Sequence, residues 1–133
     1  MSYGTHITLD EPFTEAVARV RAALAERGFG VLTEIDVTAT LRAKLGEQIE
    51  DYVILGACNP PFAHQALEVD RSIGLLLPCN VVVRTTPAGI VVEALDPQIM
   101  AALTGRPELK PGADEAARRL ATALASLKKG GQE

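Results

Sequence analysis

The stretch from Val81 to Leu95 leaves this chain the least freedom. Val81-Val82-Val83-Arg84-Thr85 and Ile90-Val91-Val92-Glu93-Ala94-Leu95 are rich in β-branched residues, and Thr86-Pro87-Ala88-Gly89 separates them. Branching at Cβ favours extended backbone, and Pro and Gly so close together force a turn, so the segment reads as an antiparallel hairpin. A lone hairpin is marginal in water; it needs more strands and a second layer to cover one face.

The remaining sequence supplies both. Tyr3 to Leu9 reads as a first strand. Asp10-Glu11-Pro12 then offers an acidic cap and a proline for a first helical turn, and Phe13, Val17, Val20 and Leu24 recur at helical spacing up to Gly28, a candidate left-handed cap. Phe29, Val31, Thr33 and Ile35 alternate as a second strand. Asp36 can cap a short helix whose Val37, Leu41 and Leu45 fall four apart, with Gly46 ending it. Asp51 to Cys58 is apolar on both faces, as expected of a strand inside a sheet. Pro60-Pro61 opens a helix through Leu67 that ends near Asp70. Asp96-Pro97 caps a brief helix through Met100 and Leu103. Gly105 to Gly112 reads as a loop because of its Pro and Gly content, Ala113 to Lys129 as a last helix with Leu120, Leu124 and Leu127 buried, and the final four residues as a frayed tail. One α+β domain over residues 1–133 is expected.

Composition narrows the function. With 133 residues, 47% of them hydrophobic, one real core is possible but not two. Aromatic residues make up 4%, with no Trp, the net charge is −4, and no basic run exceeds Lys128-Lys129, so neither a base-stacking platform nor a phosphate-tracking stripe is present. Nucleic acid is not expected as a partner. Neither a secretory leader nor an apolar run of membrane-spanning length is evident, which points to a cytoplasmic protein without a membrane partner. In that compartment Cys58 and Cys79 are expected to be free thiols.

Those thiols stand in the one internal echo, Ala57-Cys58-Asn59-Pro60 against Pro78-Cys79-Asn80. Cys58 falls where a buried strand meets a helix start, and Cys79 at the start of the next strand. If the two strands are antiparallel neighbours, both thiols come to one sheet edge; a parallel crossover would place them at opposite ends. The hairpin that follows favours the antiparallel arrangement. Cys58, Asn59, Cys79 and Asn80 then form a candidate ligand-binding site for a small molecule or anion, with thiol chemistry open to it. Cysteine is equally at home as a small buried hydrophobe, and Asn beside Pro commonly satisfies backbone groups in a turn. His64, six residues beyond Cys58, extends the candidate set and would join both thiols in a soft-metal site for zinc or copper(I), the fourth ligand coming from Asp96, Met100 or water. His6 is isolated in the first strand. No nucleotide-binding glycine motif, hydrolase elbow or Cys-x-x-Cys occurs, so neither a reaction nor a cofactor can be assigned.

Leu55-Gly56-Ala57-Cys58-Asn59-Pro60, Ala66-Leu67 and Gly74 to Val83, with its Leu-Pro-Cys-Asn centre, resemble the motif block of a bacterial and archaeal family known as domain of unknown function 302. The resemblance runs through nearly the whole chain. It implies a β-α-β-β-β-β-α core similar to the TATA-box-binding-protein fold, with an antiparallel sheet, helices on one face, extra short helices and assembly as a homodimer. It implies no activity, and likeness to a DNA-binding fold does not transfer DNA binding. A structural dimerisation module without catalysis therefore stands beside the ligand-binding reading.

Overall fold

A computed structural model of the chain describes residues 3–131; Met1, Ser2, Gln132 and Glu133, including the end of the expected tail, lie outside the described residues. Five strands form one sheet: β1 (Gly4–Leu9), β2 (Gly30–Asp36), β3 (Tyr52–Cys58), β4 (Cys79–Thr86) and β5 (Gly89–Leu95). Their order is β1-β5-β4-β3-β2, and every neighbouring pair is antiparallel. Five helices join them: α1 (Phe13–Glu26), α2 (Val37–Leu45), α3 (Pro60–Val69), α4 (Gln98–Thr104) and α5 (Lys110–Gly131). Short 3-10 turns lie at Arg71–Leu76 and Pro107–Leu109. The fold is the α+β class expected.

Strand alternation divides the sheet into two unlike faces. Val53, Leu55 and Ala57 of β3, Val81 and Val83 of β4, and Ile90, Val92 and Ala94 of β5 share the inner face and are buried. Against them lie Ala16, Val20 and Leu24 of α1 and Ala116, Leu120, Ala123 and Leu124 of α5. Arg19 fixes the two helices to each other by donating to the Leu127 carbonyl at 2.7 Å. The outer face has no comparable layer; its side chains remain partly or fully exposed.

Several local expectations hold for the reasons that suggested them. Asp36 Oδ1 accepts the Ala39 N–H at 2.9 Å, and Gly46 ends α2 in the left-handed region at φ 68°. Gly28 turns the chain after α1 at φ 86°. Three details differ. Pro12 is itself the N-cap of α1, with no side-chain hydrogen bond, so the acidic pair before it does not cap the helix. A bulge between Val31 and Thr33 interrupts the alternation of β2, so Val31 opposes Ala57 on the inner face while Thr33 and Ile35 oppose Gly56 and Ile54 on the outer one. The Pro- and Gly-rich segment expected as a loop starts α5 at Lys110. A proline in the first turn loses no intrahelical hydrogen bond, and Gly112 lets α3 approach, since a Cβ there would stand 2.8 Å from the Phe62 ring.

Candidate functional site

The antiparallel pairing of β3 and β4 places the two Cys-Asn dipeptides side by side, as anticipated, but their register splits the cysteines. Cys79 is opposite Ala57, so it shares that residue's inner face; Cys58, one residue on, faces outward. Cys79 is 4% exposed. Burial, aided by the nearby Cys58, pushes its thiol up to about 11 from an ordinary 9.0, so it stays protonated and unreactive at neutral pH. Cys58 is half-buried, beside Gly56 on its own strand, with Thr33 and Pro78 packed over that glycine. The expected shared thiol edge is therefore not formed by the side chains.

The asparagines divide in the same way. Asn59 lies on the inner side, 8% exposed, where its Oδ1 accepts the Phe62 N–H at 3.1 Å and caps α3. Its amide nitrogen lies near Gly28, and Asn59 and Arg119 line one cleft. Asn80 is opposite Gly56 on the outer face and is exposed. His64 projects from α3 with 78% of its side chain exposed and lies 3.5 Å from Glu68. The two thiols and this imidazole thus point in three directions, and among the described residues no group of three or more His, Cys, Asp or Glu could hold a metal ion.

What the outer face does bring together is a broad open trough of about 830 Å³. Successive rows of cross-strand neighbours build its floor. Arg84 and Tyr52 form one row; His6, Glu93 and Val82 the next; Leu95 and Asn80 follow. Arg84 Nε donates to Glu93 Oε1 at 2.8 Å from the adjacent strand. That hydrogen bond is the main reason the guanidinium holds its proton still more firmly than usual; partial burial opposes it, and the charge of Glu93 adds to it. The terminal nitrogens of Arg84 have no hydrogen-bond partner among the described residues.

A family model described as domain of unknown function DUF302 matches residues 5–127. The chain belongs to this family. A crystal structure of an uncharacterized conserved DUF302 protein from Bacillus stearothermophilus is similar at a TM-score of 0.86 and 28% identity, covering 94% of this chain and 98% of that one. No curated protein matches. Membership in DUF302 fixes the fold and brings no reaction with it, so the chemistry must come from the geometry.

The DUF302 trough differs from the cleft between α4 and α5 in having polar groups to spare. In the cleft of about 390 Å³ between α4 and α5, Asp114 accepts from Gln98 Nε2 at 2.7 Å and Lys110 Nζ at 2.9 Å, in that order the causes that hold its carboxyl below the usual range. Its charges are thereby satisfied within the protein. Of the residues that the sequence marks as a candidate site, only Asn80 lines the trough; Arg84, Glu93, Tyr52, Tyr3 and His6, which also line it, carry no such mark. Their signal was available: Arg84 and Glu93 are charges inside two otherwise apolar strands, at positions that alternate to the same face.

Proposed function

We propose that the chain is a small-molecule-binding protein whose ligand lies in the outer-face trough, with Asn80 and Arg84 as its polar contacts and Cys58 at the margin of the same face. The observation that carries this reading is the combination of an apolar floor, Val82 and Leu95, with convergent polar groups in a concavity of about 830 Å³. Sites for small ligands have this composition and size. Val82→Trp would fill the floor. Small organic fragments that bind the wild type in saturation-transfer NMR should lose binding in that variant while its circular dichroism is unchanged. Fragments that bind both proteins equally would place binding elsewhere.

A second reading, assembly as a homodimer through β2 and α2, rests on a different observation. None of the nine residues of α2 is buried, and β2 and α2 together expose Leu32, Ile35 and Leu45. The chain exposes 7738 Å², whereas a folded monomer of its mass is expected to expose about 6,700 Å². The difference is comparable to the roughly 800 Å² that each partner buries in a stable complex. The bulge and the charges Glu34 and Asp36 make simple strand addition at β2 unfavourable, so the occupant is a second copy held by side chains. Sedimentation equilibrium at tens of micromolar should give a dimer that Leu45→Glu dissociates; a wild-type monomer would exclude this arrangement.

A further inference from the structure

We infer that the ligand of the outer-face trough is a small amphipathic organic anion, its carboxylate or sulfonate held by Arg84. The inference rests on the trough being a binding site and names what enters it.

Arg84 is oriented before any ligand arrives. Glu93 engages Nε from the neighbouring strand at 2.8 Å, which fixes the plane of the guanidinium and leaves the Nη1 and Nη2 edge without a partner among the described residues. That edge is a two-pronged donor matched to a planar or tetrahedral oxyanion. Arginine loses little further freedom on binding because the Glu93 contact has already restricted its side chain. The carboxylate of Glu93 is committed to Nε, so the pair is locally near neutral and the incoming anion meets directed donors more than a field of net positive charge. This arrangement favours a ligand that also has apolar surface to bury.

The floor sets the size of that surface. Arg84, Val82 and Asn80 follow one another at every second position of β4. At about 3.4 Å per residue they span about 14 Å, with the apolar Val82 between a cationic and an amide end. One or two fused rings with an acidic group at one end and a hydrogen-bonding group at the other match this length. Inorganic phosphate alone would leave Val82 and Leu95 uncovered, and a neutral apolar molecule would leave the guanidinium edge unused while taking it partly out of water.

Two fluorescent probes separate these cases: anilinonaphthalene sulfonate and its uncharged parent, phenylnaphthylamine. The wild type should bind the sulfonate about tenfold more tightly than the neutral dye, the range expected of a charge-assisted pair that remains partly solvated. Arg84→Gln should remove the preference without weakening the neutral dye. Glu93→Gln, which keeps the guanidinium and removes the adjacent negative charge, should hold or strengthen sulfonate binding, so the inference stays testable even if Arg84→Gln folds poorly. Asn80→Trp should weaken both dyes, and Arg106→Gln, outside the trough, should affect neither.

Equal binding of the two dyes, both weakened by Asn80→Trp and indifferent to Arg84→Gln, would overturn the anion inference and leave the trough standing as a site. Absence of binding, or binding insensitive to Asn80→Trp, would remove both.

Discussion

At the scale of single residues, the two cysteines have opposite fates because of a one-residue offset. Sequence could tell that Cys58 ends one strand and Cys79 begins the next, but facing is decided by register, and Ala57, not Cys58, is the residue opposite Cys79. A thiol reagent should therefore modify one cysteine quickly in the folded protein and both in denaturant, and Cys58→Ala should abolish the fast phase; two fast thiols in the native state would contradict the assignment. The buried Cys79 also makes a pH prediction. Its folded value of about 11 lies above the ordinary 9.0, so the folded state holds a proton that the unfolded chain releases first. The stability this contributes is complete below pH about 9 and declines toward about 11, by at most about 2–3 kcal/mol. Chemical denaturation of Cys79→Ala alongside the wild type should show a shallower alkaline loss in the variant; parallel curves would mean that this thiol ionises without resistance.

At the scale of elements, what was legible was what local chemistry dictates. The β4–β5 hairpin follows from β-branched runs around Pro87 and Gly89, and α2 from Asp36 at one end and Gly46 at the other. The bulge in β2 was not legible, because Leu32 is apolar like Val31 before it and the extra residue leaves the alternating pattern of Phe29, Val31, Thr33 and Ile35 intact in the sequence. The start of α5 was hidden for another reason: Pro111 and Gly112 are poor helix formers inside a helix but acceptable in its first turn, and only the approach of Phe62 explains the glycine. Asn59 belongs to this scale as well, since its side chain accepts from the first free amide of α3 in a buried setting. Asn59→Ala should cost about 1–2 kcal/mol of unfolding free energy, while Asn59→Asp, which can still accept that bond, should cost less. A loss for Asn59→Ala below a few tenths of a kcal/mol would show that the cap is dispensable.

At the scale of the molecule, the helices take one face of the sheet and leave the other open. The inner face, covered by α1 and α5 with Phe62 and Ala66 of α3, Ile73, and Met100 of α4 beside them, holds the buried apolar core, including Cys79. The outer face keeps Cys58 and Asn80 together with His6, Tyr52, Arg84 and Glu93, residues far apart in sequence that only the strand order β1-β5-β4-β3 makes neighbours. That is why the candidate site was half visible: Asn80 stood in a recognisable dipeptide, whereas His6 comes from a strand placed beside β5 by the fold alone. Among the described residues no helix is long and apolar enough to cross a membrane, so none claims this face for a bilayer span. The most direct test is amide chemical-shift mapping of the folded chain titrated with anilinonaphthalene sulfonate. Shifts concentrated on residues 4–8, 80–84 and 91–95 are the predicted result; shifts confined to α4 and α5, or spread over the inner layer, would contradict the outer face as the binding surface.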